Sequence, residues 1–300
     1  MTAIVFAYHS VGVVGLKSLL AAGVDVKLVV THQDDVNENL WFESVADLAK
    51  HHNIKIITPD NPNQADIIEQ FKAINPDWIF SFYYRQMLSA SILSLAKQGA
   101  YNLHGSLLPK YRGRAPVNWA VLKGEIETGV SLHKMVVKAD AGDLVAQQAV
   151  DILPNDTAHQ VFLKLIPAAE ILLQQYLPLL LKGQLEATPL DLEKGSYFSG
   201  RQPEDGRIDW QQSAWQIHNL IRAVAPPYPP AFFDLQGQRF FILGSDYQQE
   251  TALHSRSGIY WHEHSFFADC TDGRRFQIQQ IQLNNRLLDS SDCHLFDFIL

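Results

Sequence analysis

The first hundred residues switch back and forth between two periodicities, and that alternation limits the fold more than any other feature of the chain. Short apolar or β-branched runs at Ala3 to Ala7, Val26 to Thr31, Ile54 to Thr58, Trp78 to Phe82 and Ala100 to Leu103 have the length and composition of buried strands. Between them, Val11 to Ala22, Phe42 to His52, Gln64 to Ile74 and Met87 to Leu95 carry helical patterns. A helix-length crossover returns the chain to the same edge of the sheet, so consecutive strands run parallel and both faces must be covered. The expectation is an α/β domain with a doubly wound, mostly parallel sheet.

Further along, Thr128 to Val137 and Leu144 to Val150 read as strands, and Asp156 to Leu181 as a long helix with Asn155, Asp156 and Thr157 as cap candidates. The stretch Lys182 to Gly206 is polar and rich in turn formers, including Gly183, Pro189, Gly195, Gly200 and Pro203. A helix near Ser213 to Val224, the cluster Pro226, Pro227, Pro229 and Pro230, and strands at Arg239 to Leu243, Gly258 to His262 and Arg275 to Leu283 follow. A chain of 300 residues exceeds one compact core. We expect a Rossmann-like catalytic domain over residues 1–185, a linker over 186–206 and a small, mainly β, OB-like domain over 207–300.

Composition narrows the class. A hydrophobic share of 47% with 19% charged residues is that of an ordinary globular protein. The most apolar run, Ile171 to Leu181, is broken by Gln174, Gln175 and Pro178, short of the roughly 18 residues that cross a bilayer. The start of the chain lacks the basic region of a signal peptide, so the expected location is cytoplasmic, without membrane insertion. Two cysteines, Cys270 and Cys293, give neither a disulfide framework nor paired zinc spacing. With 24 basic against 32 acidic residues the net charge is −8, which argues against a nucleic-acid partner.

Ligands of an open parallel sheet bind beyond the carboxyl ends of its strands. Two strand-end loops stand out: Ser81 to Arg85 after the fourth strand and Asn102 to Arg114 after the fifth. Asn102 and His104 are two apart on a strand and therefore share a face. An amide donor suits an oxyanion, an imidazole suits proton transfer near neutral pH, and Gly105 lets a substrate approach the backbone. That set points to acyl transfer.

The run Asn102 to Pro109 (NLHGSLLP), followed by Arg112 and Gly113, resembles the signature of the folate-dependent formyltransferases, and Met135 to Asp143 (MVVKADAGD) supplies the aspartate that the family carries after the next strand, as Asp140. The phrases FSFYYR from Phe80, ETGV from Glu127 and LHKM from Leu132 are similar to the sugar N-formyltransferase branch, in particular the formyltransferase half of bifunctional polymyxin-resistance enzymes acting on UDP-4-amino-4-deoxy-L-arabinose. The resemblance implies a 10-formyltetrahydrofolate-dependent enzyme that formylates a nucleotide-linked amino sugar, with lipopolysaccharide (lipid A or O-antigen) as the downstream context and no metal. It implies His104 as the base, Asn102 as the oxyanion donor and Asp140 as the carboxylate that stabilises the protonated ring. It further implies folate contacts at Gln86, Met87, Leu88, Val136, Val137, Lys138, Ala139 and Asp140. Arg114, Arg112, Tyr83, Tyr84 and Ser106 would then face the substrate.

Blander readings stand beside these. Arg112 and Arg114 are either solvated charges or diphosphate contacts; Tyr83 and Tyr84 either pack or touch the nucleotide sugar. Gly12 and Gly15 lack the GxGxxG spacing of a dinucleotide site. On a strand, Glu263 would point away from His262 and His264, and no third ligand is evident, so no metal site is expected there. Methionyl-tRNA formyltransferase is the competing activity, and the acidic run Gln33 to Glu38 opposes phosphate at the loop where its relatives usually carry a basic insertion. A non-catalytic folate or nucleotide-sugar sensor is the competing class, and glycinamide ribonucleotide transformylases are usually a single shorter domain. The second domain would close the cleft or support homodimer contacts.

Overall fold

The computed structural model describes residues 1–33 and 41–296. The elements run β1 (Thr2–Ala7), α1 (His9–Ala21), β2 (Asp25–Val30), α2 (Val45–His51), β3 (Lys55–Ile57), α3 (Ala65–Ile74), β4 (Trp78–Phe82), α4 (Ala90–Leu93) and β5 (Gly99–His104). They continue with β6 (Arg112–Gly113), α5 (Pro116–Leu122), β7 (Glu127–Lys134), β8 (Leu144–Asp151), α6 (Ala158–Leu181) and β9 (Tyr197–Phe198). The last third holds α7 (Ala214–Ala223), β10 (Ala231–Leu235), β11 (Gln238–Asp246), β12 (Gly258–His262), β13 (Ser265–Asp269), β14 (Arg275–Leu283) and β15 (Arg286–Leu287).

Among the described residues, seven strands form one sheet in the order β3-β2-β1-β4-β5-β7-β8. Strands β1 to β5 are joined by parallel pairings, as the βα alternation expects. Strand β7 is antiparallel to β5, pairing Asn102 with His133 and His104 with Ser131. On one face, Ile4, Phe6, Leu28, Val30, Phe71, Ile79 and Ala100 form a buried cluster. On the other, Trp78, Phe80 and Phe82 stack at 6.0 and 5.9 Å between successive ring centres. Gly15 of α1 lies against the Phe82 ring, and Gly12 against Ala7 and Val45, so both glycines serve close helix-to-strand packing.

Compact packing divides the chain into two units. One comprises Met1–Pro116, Thr128–Val150 and Leu163–Phe198; the other takes Val117–Glu127, Asp151–Phe162 and the chain from Ser199 onward. The second unit carries an antiparallel sheet ordered β10-β11-β14-β13-β12, with β15 on β14, around a core that includes Ile217, Ile221, Phe233, Phe240 and Phe276. Arg222 is fully buried there; it donates to the Asp156 and Leu153 carbonyls and to Asn219, which holds residues 151–162 to that unit. Burial of His218, against the pull of the Pro154 carbonyl, pushes its pKa down to about 4, so this side chain is a neutral structural group.

Three expectations are adjusted. The strand expected to reach Val137 ends at Lys134, because the backbone turns there: Lys134 N–H donates to the Asp143 carbonyl at 2.9 Å, and Gly142 lies against the Lys134 carbonyl. Helix α6 starts at Ala158, with Thr157 accepting from Gln160 N–H while its own N–H donates to the Gln160 side chain. Glu263 and His264 occupy the β12–β13 turn with φ of 43° and 70° instead of extending the strand. No group of ligating side chains that could hold a metal occurs among the described residues. No helix among them is long and apolar enough to cross a membrane.

The packing of Gly15 yields a test. A Cβ there overlaps the ring of Phe82, which is buried and stacked on Phe80. Gly15→Ala should lower unfolding free energy by about 1–3 kcal/mol, seen as a reduced urea midpoint at unchanged slope; an unchanged midpoint contradicts this packing.

Candidate active site

The last residues of β5 carry Asn102 and His104 to the carboxyl edge of the sheet, on the face where Ile79 and Ala100 lie in the core below. The loop that follows is braced from beneath. Ser131 accepts from Leu108 N–H and donates to the Ser106 carbonyl, while Gln147 donates to Ser131 and to the Leu108 carbonyl. Gly105 is required because the Tyr83 hydroxyl occupies the place of a Cβ. Asp140 sits in the loop after β7 with φ of 47°, a left-handed conformation that aspartate tolerates.

These side chains meet at one oxygen. Asp140 Oδ1 lies 3.5 Å from His104 Nδ1, 3.5 Å from His133 Nε2 and 3.4 Å from Asn102 Nδ2. Its Oδ2 accepts from Gly113 N–H at 2.9 Å. His104 is buried, and its Nε2 faces the Tyr111 carbonyl at 2.8 Å. A carbonyl only accepts, so Nε2 carries a hydrogen and the Nδ1 lone pair looks toward Asp140. Burial opposes the charge on Asp140, but the His104 and His133 rings in their protonated forms, together with the Gly113 amide, outweigh it and hold this carboxyl well below the usual carboxylate range.

The remaining residues named by the resemblance fall in different environments. Arg114 is exposed, whereas Arg112 is buried with its backbone paired to Ser196 and with Nε lacking a hydrogen-bond partner. Ser106, expected at the substrate, is completely buried and donates to the Lys110 carbonyl at 2.7 Å, so its hydroxyl braces the loop. Tyr83 packs over Gly105. Tyr84 stacks on His32 with ring centres 4.2 Å apart, and burial pushes its pKa up to about 12, the environment of a packing residue. Gln86 donates to the Asp60 carbonyl, and the side chain of Leu88 joins the sheet's core. Met87, Val136 and Val137 instead stand in solvent at 54%, 44% and 64% exposure, apolar side chains at strand-end loops with little packed over them. Lys138 is exposed and Ala139 half-buried. The acidic run after Gln33 lies outside the described residues.

His133 is the member of this cluster that sequence reasoning missed. Its signal was the pairing partner of Asn102, and that depends on β7 being antiparallel to β5.

The low pKa of Asp140 sets a pH test. Its contribution to stability is complete above the ordinary aspartate value of 3.8 and is lost as pH falls toward the lower folded value. The stability advantage of the wild-type chain over Asp140→Asn should therefore be constant at neutral pH and shrink as pH drops beneath about 4. A difference in unfolding free energy that does not change with pH contradicts it.

Comparison with known proteins bears on family and fold. Residues 14–177 match the formyl transferase family and residues 201–292 the formyl transferase C-terminal domain. An N-formyltransferase from Helicobacter canadensis, solved with folinic acid and dTDP-3-aminofucose, is 22% identical with a TM-score of 0.72, covering 93% of this chain and 98% of that one. WlaRD, a sugar 3N-formyl transferase solved with dTDP and 5-N-formyl-THF, is 22% identical with a TM-score of 0.73, covering 96% and 99%. HypX from Aquifex aeolicus, solved with tetrahydrofolic acid, is 16% identical with a TM-score of 0.63, covering 96% of this chain and 46% of its own length. At these identities the likeness is one of fold. Because the formyl transferase domain alone accounts for residues 14–177, more than half of the sequence, this chain belongs to the formyl transferase family.

Proposed function

We propose that the protein transfers the formyl group of 10-formyltetrahydrofolate to the amino group of a nucleotide-linked 4-amino-4-deoxy sugar, with UDP-4-amino-4-deoxy-L-arabinose as the acceptor that the FSFYYR and LHKM phrases favour. The observation that carries it is the meeting of His104, Asn102 and Asp140 around one carboxylate oxygen at the end of β5. A sensor needs no base and oxyanion donor at one point. The sugar N-formyltransferase and folate-bound neighbours of the same fold add support by analogy.

The folate donor supplies the formyl carbon: the amine nitrogen bonds to it, its bond to the folate N10 breaks, and the proton lost by the amine ends on N10. The exposed side chains of Met87, Val136 and Val137 suit the flat, partly apolar donor. The 3.5 Å between His104 Nδ1 and Asp140 Oδ1 is longer than a hydrogen bond, so two acceptors face the same space. An amine that approaches alongside the pair donates to Nδ1. Nδ1 takes its proton, and the carboxylate stabilises the imidazolium that results. Asn102 donates to the formyl oxygen as it gains charge. The same imidazolium then returns its proton to N10.

Arg114, exposed beside the site, serves the nucleotide diphosphate, for which a guanidinium offers paired donors. With a net charge of −8 the chain as a whole does not favour a tRNA acceptor.

Purified protein incubated with 10-formyltetrahydrofolate and a panel of UDP-, dTDP- and GDP-linked amino sugars should yield an N-formyl sugar. His104→Ala should reduce kcat by about 10²- to 10⁴-fold while both ligands still bind. Formylation of charged initiator tRNA alone sinks the sugar assignment, and undiminished turnover in the alanine variant sinks the base.

A further inference from the structure

We propose that His133 is a positioning residue that aims the Asn102 amide, an inference that rests on the formyl-transfer reading above. His133 is only 2% exposed and lies directly across the β5–β7 pairing from Asn102, the distance at which cross-strand side chains touch. Its Nδ1 stands 2.8 Å from the Lys134 carbonyl oxygen. That oxygen only accepts, so the hydrogen of the neutral ring sits on Nδ1 and Nε2 is left as a bare acceptor.

Asn102 Nδ2 is 3.1 Å from that Nε2. One amide hydrogen is therefore donated into the ring, and this decides which end of the Asn102 amide is nitrogen. The second hydrogen points at Asp140 Oδ1 across 3.4 Å, near the long limit of an N–H···O bond. It is the weakly held one, free to turn to an oxygen that gains negative charge. His133 and Asp140 both face the nitrogen end of the amide, and the shorter contact to His133 fixes the amide plane, so the donor is oriented before the reaction. Both nitrogens of His133 are thus engaged, Nδ1 by the Lys134 carbonyl and Nε2 by Asn102 with Asp140 Oδ1 3.5 Å away, whereas Nδ1 of His104 has the carboxylate as its neighbour. The two imidazoles beside Asp140 consequently have different tasks: His104 moves the proton, and His133 holds the amide.

Two measurements on the full chain test this. Nitrogen-15 NMR of the labelled imidazoles, with His133 identified by its loss in His133→Gln, should give a neutral ring protonated on Nδ1 and bare at Nε2; a ring protonated on Nε2 overturns the proposal and needs no activity to be seen. In kinetics, His133→Phe should lower kcat about 10- to 100-fold with KM for both substrates within about two-fold. His133→Gln, which keeps an acceptor oxygen, should recover most of the loss. Placed on Asn102→Ala, His133→Phe should cost nothing further, since the group it aims is gone. Full activity in His133→Phe, or a loss that simply adds to that of Asn102→Ala, refutes the role. If the wild-type chain formylates no amino sugar, the functional reading has failed, and the NMR result still decides the tautomer and the amide orientation.

Discussion

A carboxylate withdrawn from water survives as an anion only where donors and positive charge surround it, and the first unit of this protein is arranged to provide that for Asp140. One oxygen faces two imidazoles and an amide; the other accepts a backbone N–H from Gly113. The grouping fixes more than a charge. It sets which nitrogen of His104 is open, because the Tyr111 carbonyl takes the other, and it turns that open nitrogen toward the carboxylate at 3.5 Å.

The topology explains how four side chains from distant positions reach that point. The parallel strands β1 to β5 stack their apolar residues below and present Asn102 and His104 at the carboxyl edge. Strand β7 then runs the opposite way, so that His133 and Ser131 lie across from them and its carboxyl end turns immediately into the loop that holds Asp140. The loop after β5 is pinned by Ser131 and Gln147 and lends the Tyr111 carbonyl and the Gly113 amide. Rigid strands thus carry His104, His133 and Asn102, while the loop after β7 supplies Asp140 and the loop after β5 completes the shell.

Much of this was legible in the sequence, for physical reasons that can be named. Runs such as Trp78 to Phe82 are buried on both faces and advertise themselves by composition, and the same-face relation of Asn102 and His104 follows from the two-residue period of a strand. Asp140 is marked only by the family pattern MVVKADAGD, and spacing alone does not place it beside His104. His133 was overlooked because nothing local distinguishes an antiparallel seventh strand from a parallel one. Ser106 and Tyr84 lie in the strand-end loops and so read as substrate contacts; in the fold Ser106 bonds its own loop and Tyr84 stacks on His32. Short contacts made by a loop with itself leave little trace in a linear sequence.

The central claim is that the Asp140 carboxylate is what allows His104 to accept and return a proton during formyl transfer. It is tested most directly by a rapid-quench single turnover with 13C-formyl donor and an amino-sugar nucleotide on Asp140→Asn. The account predicts that the variant binds both ligands as the wild-type protein does while the label stays on the folate. Delivery of the label to the sugar nitrogen at the wild-type rate would contradict it.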